Sequence, residues 1–318
     1  MEPTLEEPRL CVYTALIGRY ERLNEQPVAA RSSIPFICLT DDPQLSSQSW
    51  GLRQVTPLFP MDPIRSQRDL KLRPHAHLAD FGASLYIDNS VLLTEPPERL
   101  FERCFPASGM ALPTHSFRDT VLDEFLEVAR LGFDDQSRVF EQLNHYAISD
   151  PESLAQRPYW TGLLLRDHRN AALRALLDRW MAHVNRYSRR DQLSIVAALR
   201  QCGFVPDALD LDNHASWAHT WPHAQDRVRD AGPRLPATSF SPPIARIREL
   251  ERSLTEGLGR EQALAEQLRR TERALAETSR RALPSADQLK KGSAAALRIW
   301  ANALRDMRNL LRKTPRQD

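Results

Sequence analysis

No stretch of this chain offers the ~18 consecutive apolar residues that a membrane-crossing helix needs. The first residues, Met1-Glu2-Pro3-Thr4-Leu5-Glu6-Glu7, are acidic and lack the basic-then-apolar order of a secretory signal. Cysteine is scarce, with 4 in 318 residues, and none of Cys11, Cys38, Cys104 and Cys202 stands in a CxxC pair or at a metal-ligand spacing. Cys11 and Cys38 sit inside apolar runs and read as small buried hydrophobes. These absences lead us to expect a soluble protein in a reducing, cytoplasmic setting. A net positive charge is missing from most of the chain as well. Residues 244–318 hold 17 Lys/Arg against 10 Asp/Glu, so a net charge of +2 overall leaves −5 on the first 243 residues. A nucleic-acid-binding main domain is therefore not expected.

What is present begins with Ser84-Leu85-Tyr86-Ile87-Asp88-Asn89-Ser90-Val91-Leu92-Leu93. An apolar run leads straight into Asp88, which reads as a buried strand delivering a carboxylate to its carboxyl end. In open α/β sheets, ligands bind at that end. Consecutive oxygen donors there suit a divalent cation and a diphosphate; they equally suit a strand ending in an Asx turn. Leu10–Gly18 and Pro35–Thr40 read as further buried strands, and Trp50–Val55 as an edge strand. Helical periodicity marks 66–79, 119–148 and 169–202, and Trp160–Arg166 reads as another strand. Short apolar strands alternating with helices predict an α/β fold with a mixed sheet flanked by helices over residues 1–230.

Pro233, Pro236, Pro242 and Pro243 mark a linker over 231–243. Ile247, Leu250, Leu254, Leu264, Leu268 and Leu275 then share one heptad register over 244–283, with Gly257 and Glu261 interrupting the seam. This predicts a helical or coiled-coil segment, broken at Pro284. A basic amphipathic helix follows within 284–318, with Leu297, Trp300, Leu304, Met307 and Leu311 on one face. Pairing of the tail with a second copy, contact of the last helix with an anionic membrane surface, and packing of that helix on protein all remain open.

Several ordered elements resemble one family. Val12-Tyr13-Thr14-Ala15 with Gly18 and Tyr20, Cys38-Leu39-Thr40-Asp41, Arg68 with Lys71, Pro74-His75, Tyr86-Ile87-Asp88-Asn89 and Ser188-Arg189-Arg190-Asp191-Gln192-Leu193-Ser194 together resemble the glycosyltransferase-like "domain of unknown function 616" group. That group is related to plant mucilage-biosynthesis proteins and, more distantly, to glycosyltransferase family 8. The resemblance covers roughly residues 9–225. It implies a GT-A-like nucleotide-binding sheet and a hexosyltransferase that moves a sugar from a UDP-type donor to a glycan or lipid-linked saccharide, in cell-surface polysaccharide synthesis. Kinship with family 8 implies retention of configuration.

The resemblance also distributes roles. Tyr13, Thr14 and Ala15 would meet the nucleotide base; Thr40 and Asp41 end a strand, where a carboxylate can accept bonds from ribose hydroxyls. Arg68 and Lys71 lie one helical turn apart, suiting a diphosphate or sugar hydroxyls, or else a solvated basic face. Asp88, Asn89 and Ser90 stand where many GT-A enzymes carry Asp-x-Asp. Asp88 would ligate Mn²⁺ or Mg²⁺, with Ser90 a weak ligand in place of the second acid, and one of His214, His219 or His223 completing the site. Asp191 would orient sugar or acceptor hydroxyls, with Gln192 nearest the anomeric carbon. Asp191 also suits the first turn of a helix capped by Ser188. His115, Arg118 and Glu124 match scattered polar positions that would line the acceptor side, and Arg166 and His168 are similar candidates; each also suits a structural role, and His75 suits helix packing. A catalytically idle nucleotide- or glycan-binding scaffold competes with the transferase, Ser90 being its best support, and a hydrolase using the same carboxylates is a third reading.

Overall fold

The computed structural model describes residues 8–224, 243–282 and 294–312. They fall into two units, divided between Ala245 and Arg246.

The first unit starts with three parallel strands, β1 (Leu10–Leu16), β2 (Phe36–Thr40) and β3 (Gly51–Gln54). Helix α1 (Pro63–Leu72) follows. Its Asp62 cap accepts the Arg65 N–H at 3.0 Å, and Pro63 occupies a first-turn position that needs no N–H. The single helix expected over 66–79 is two. Pro74 disfavours helical backbone at Arg73, so α1 stops and a short α2 (Pro74–His77) resumes. Strand β4 (Ala83–Ile87) delivers Asp88 as expected. Leu85 and Ile87 are fully buried, each burial stabilising by about 1.5–3 kcal/mol.

A two-residue strand β5 (Leu92–Leu93), helix α3 (Pro97–Cys104) and strand β6 (Met110–Pro113) come next. Helix α4 (Val121–Leu131) opens on a reciprocal capping box between Thr120 and Asp123. It closes at Gly132, whose left-handed φ of 61° only glycine adopts readily. That glycine divides the helix expected over 119–148; α5 (Gln136–Ser149) is its second part, and α6 (Pro151–Ala155) follows. Strand β7 (Leu163–Asp167) leads into α7 (Ala171–Arg186). The helix expected over 169–202 then breaks: a 3-10 turn, Asp191–Leu193, separates α7 from α8 (Ile195–Cys202). Strands β8 (Asp207–Leu209) and β9 (His219–Thr220) complete the unit.

The seven-stranded sheet has the order β3-β2-β1-β4-β7-β6-β8, and β5 pairs with β9 separately. Strand β7 runs antiparallel to both neighbours, β4 and β6, while the remaining pairs are parallel. The expected mixed sheet flanked by helices is thus the architecture found, with β3 at an edge. Alternation along the strands builds a core on each face. Tyr13, Ala15, Tyr86 and Leu164 join α1, α4, α5, α7 and α8 on one side. Val12, Leu16, Leu85, Ile87 and Leu163 join Trp50, Leu100 and Trp160 on the other.

In the second unit, α9 (Pro243–Ala282) and α10 (Ala294–Arg312) are both helical. Ile247, Leu250, Leu254, Leu264, Leu268 and Leu275 of α9 are exposed, as are Leu297, Trp300 and Leu304 of α10. Residues 231–242 of the expected linker, and Pro284, lie outside the described residues. No helix among the described residues is long and apolar enough to cross a membrane.

Candidate active site

Because β7 opposes β4 and β6, the segments following β1, β2, β4 and β6 and the segment preceding β7 all reach one rim of the sheet. Asp88 stands on this rim, where its backbone N–H donates to Gly162 O at 2.9 Å. Its side chain is 35% exposed. One carboxylate oxygen, Oδ1, accepts the Tyr86 hydroxyl at 2.7 Å and the Lys71 ammonium at 3.2 Å.

Lys71 is 1% exposed and joins two acids. Its Nζ lies 2.8 Å from Asp191 Oδ2, 3.2 Å from Asp88 Oδ1 and 3.4 Å from Thr161 Oγ1. Arg68, one turn earlier on α1, places Nε 2.8 Å from Asp191 Oδ1. Asp88, Asp191, Arg68 and Lys71 therefore converge as a formally neutral cluster drawn from β4, α1 and the 3-10 turn. Gln67 braces it, donating to the Tyr86 hydroxyl at 2.9 Å and accepting from Arg68. From beneath, the Lys71 carbonyl accepts the Tyr13 hydroxyl at 2.8 Å and the Arg166 Nη1 N–H at 2.7 Å.

The charges shape one another. Burial pushes the Asp191 carboxyl upward, but the Arg68 and Lys71 cations beside it outweigh burial and hold it well below the usual carboxylate range. Burial acts against the Arg68 guanidinium, yet Asp191 and Asp88 raise it further above its ordinary value. Burial, and then the charge of Asp88, push the Tyr86 hydroxyl up, so it stays protonated and donates. Tyr20 is raised too, by burial and then by Glu21, and it feels both Arg68 and Asp88. Gln192 is 8% exposed, and its carboxamide makes no hydrogen bond among the described residues.

At the neighbouring strand ends, Gly18 (φ 81°) and Arg19 (φ 53°) turn the chain through left-handed backbone. Asp41 Oδ1 accepts the Gly18 N–H at 3.0 Å, and Arg19 pairs with Asp42 at 2.7 Å. Asp41 stays half-buried on the rim. Thr40 is fully buried, and its hydroxyl accepts the Asp42 N–H at 3.1 Å, which forms the turn rather than a ribose contact.

The other residues singled out in the sequence are placed as follows. Tyr13, Thr14 and Ala15 lie inside β1 rather than beyond its end, and all are buried. The Tyr13 ring packs edge-on to Tyr86 at 5.1 Å, leaving no face for a nucleotide base. Asn89 spends its carboxamide inside the protein, accepting the Asn24 N–H and donating to Arg22 O, both at 2.8 Å. Ser90 Oγ accepts the Trp221 indole N–H at 3.1 Å. Ser188 does not cap α8; its hydroxyl donates to Asp134 at 2.6 Å, and Ser194 precedes that helix. Asp191 is ion-paired instead of capping.

The antiparallel course of β7 carries Arg166 and His168 to the opposite rim, beside Ser84 and Ala83. Arg166 is a buried support, and His168 Nε2 bonds Ser84 Oγ at 2.7 Å, so neither lines an acceptor site. Glu124 is buried between Arg118 Nε at 3.3 Å and His115 Nε2 at 3.8 Å. Burial raises the Glu124 carboxyl against the pull of Arg190 and Arg118, and Arg190 acts on Asp191 as well. His75 lies 3.8 Å from Asp178, away from the cluster, in keeping with a packing role.

Among the three candidate metal histidines, His219 is buried with both ring nitrogens engaged, Nδ1 by Ser216 Oγ at 2.8 Å and Nε2 by Asn213 O at 3.2 Å. His214 stacks on Phe117 at 4.9 Å. His223 bonds Thr220 Oγ1 at 2.9 Å, and its backbone N–H reaches Ser90 O at 2.7 Å. Among the described residues, no group of three His, Cys, Asp or Glu is arranged to hold a metal ion.

Sequence reasoning missed Tyr86, Gln67 and Thr161 as members of the cluster. Only Tyr86 left a signal, because residues two apart on a strand share a face.

No protein-family model and no curated protein matches the sequence. Solved structures similar to it include the bifunctional glycosyltransferase WbbM in its apo form (TM-score 0.41, 9% identity, covering 66% of this chain and 40% of that one). Mouse xyloside xylosyltransferase 1, apo form, gives TM-score 0.38 at 10% identity, covering 63% of this chain and 85% of that one. The galactosyltransferase LgtC, in complex with donor and acceptor sugar analogues, gives 0.35 at 16% identity, covering 60% and 70%. The chain spans about 40% of the length of WbbM.

Proposed function

We propose that the chain is a GT-A-like glycosyltransferase that takes a sugar from a nucleotide-sugar donor, a UDP-sugar in our reading. The observation that carries this is the convergence at the rim: a partly exposed carboxylate, Asp88, shares one buried ammonium with Asp191, beside a guanidinium and a carboxamide, Gln192, that makes no hydrogen bond among the described residues. In this reading Asp88 and Arg68 face the diphosphate and the sugar hydroxyls. Asp191, kept ionised by its two cations, accepts bonds from sugar or acceptor hydroxyls. Gln192 presents its carboxamide to the anomeric centre, where a neutral dipole stabilises oxocarbenium-like charge without trapping it. Retention, a hexosyl donor and kinship with the group named above are parts of the same proposal. So are a glycan or lipid-linked acceptor and a place in cell-surface polysaccharide synthesis at the cytoplasmic side of the inner membrane.

Asp88→Ala is the direct test. It should abolish nucleotide-sugar hydrolysis and transfer, with the thermal unfolding of the sheet domain retained; wild-type turnover in that variant would remove the assignment.

One observation favours the scaffold reading: Asn89 and Ser90, which follow Asp88, are both engaged in holding loops. Thermal-shift screening with UDP-, GDP- and CDP-sugars separates the two. Stabilisation without turnover across plausible acceptors supports the scaffold.

For the second unit, we propose that the exposed heptad leucines of α9 pair with a second copy of the chain. The basic amphipathic α10 would lie on an anionic bilayer. The full chain should float with anionic vesicles and not with zwitterionic ones. Absence of flotation in both would end the membrane proposal.

A further inference from the structure

Two acids and a hydroxyl surround one buried point at the rim, and that point is filled by Lys71. Its Nζ sits 2.8, 3.2 and 3.4 Å from oxygens of Asp191, Asp88 and Thr161, and 5.0 Å from the centre of the Tyr86 ring. Oxygen donors from separate elements converging on one centre make the cage a hard divalent cation selects. Here an ammonium occupies it, and the backbone of Lys71 is fixed from below by Tyr13 and Arg166.

Outside this cage, two of the positions expected to hold a divalent ion, Ser90 and His219, are engaged elsewhere. Ser90 Oγ already accepts the indole N–H of Trp221, which takes one of the two lone pairs of an oxygen that is a weak cation ligand to begin with. His219 has no ring nitrogen left, and the described residues offer no group of three His, Cys, Asp or Glu for a metal. The residues present do not fit the Mn²⁺ or Mg²⁺ expected from the sequence.

We propose that the Lys71 ammonium is the resident cation of this site, and that nucleotide-sugar binding and transfer proceed without a divalent metal. The second half rests on the glycosyltransferase reading; the first does not. A fixed single charge held between two carboxylates leaves Asp88 anchored and its outer edge free. The positive charge offered to a diphosphate then comes from side chains of α1, with Arg68 foremost.

Mn²⁺ itself is the probe, followed by electron paramagnetic resonance as it is titrated into the full-length protein after chelation. Wild type should bind no Mn²⁺ at protein-like concentrations. Lys71→Ala, which empties the cage and leaves its two carboxylates facing, should bind Mn²⁺ at least about tenfold tighter than wild type. Stoichiometric Mn²⁺ binding by wild type that is lost in Asp88→Asn would overturn the proposal. So would a folded Lys71→Ala protein that gains nothing. If Lys71→Ala does not fold, the wild-type titration decides alone. Because this readout needs no turnover, it is separate from the failure of the transferase reading, which would appear as no thermal shift with any nucleotide-sugar. Where turnover is found, it should be unchanged by chelator, and its loss on chelation with recovery on Mn²⁺ would refute the metal-free mechanism.

Discussion

Asp191→Asn tests the electrostatic account of the cluster at nearly constant shape. The substitution replaces one oxygen by an amide nitrogen, so it opens no cavity, removes the charge and turns one of the two acceptors facing the cations into a donor. The acid is 3% exposed and lies 2.8 Å from both Arg68 Nε and Lys71 Nζ. Removing one partner of a buried ion pair costs about 3–5 kcal/mol, because the remaining charge stays desolvated. Here two cations lose it: Lys71 keeps Asp88, while Arg68 keeps the more distant charge of Asp88 and hydrogen bonds to Gln67 and the Arg189 carbonyl. For a domain of this size about 2–4 °C accompanies each kcal/mol, so the melting temperature should fall by roughly 6–20 °C. Calorimetry on wild type and variant measures it. The pH dependence gives an independent check. The Asp191 carboxyl ionises at lower pH in the folded chain than in the unfolded one, so its stabilisation is complete above about pH 3.9 and is lost as pH falls. The gap between wild type and variant should therefore narrow under acid conditions below about pH 4. A drop of less than about 2 °C near neutrality, or a gap that widens in acid, would refute the reasoning.

Gly18 and His115 allow two further tests. Gly18→Ala places a methyl 2.7 Å from the Pro63 side chain at a φ of 81°, so it should destabilise by about 1–3 kcal/mol in chemical denaturation; an unchanged midpoint would show that the turn relaxes. Burial, assisted by Arg118 and Arg157, holds the His115 imidazole down at about 4, so its NMR shifts should stay flat from neutrality to about pH 5. The unfolded chain takes up that proton first, making His115 a source of lost stability as pH falls below about 6.5, and a titration midpoint near 6.5 in the folded protein would contradict its burial.

The strand before Asp88 was legible because a central strand buried on both faces writes itself as an uninterrupted apolar run. Strands β1 and β2 were readable for the same reason. Helix breaks were less so: periodicity runs through Arg73, Gly132 and Tyr187, and only Pro74 and Gly132 carry a local marker. Strand β6 escaped notice because four residues ending in proline carry too little pattern. The four charged members of the cluster were named from the resemblance, but their convergence is a property of topology, which brings residues 68, 71, 88 and 191 to one rim. The burial of Tyr13 was hidden for a related reason. An aromatic residue near a strand's end invites a ligand-stacking role, yet its inward register is fixed only by the partner strands.

The carbonyl of Lys71 hangs from a tyrosine and an arginine rooted in two different strands of the sheet. The cluster's central charge is therefore suspended from the sheet itself, through strands that lie beneath the rim. Damage far below the rim, such as truncating Arg166, should loosen the ammonium as surely as a change beside it. Inherited variants that weaken the site can therefore be sought in the interior as well as at the surface.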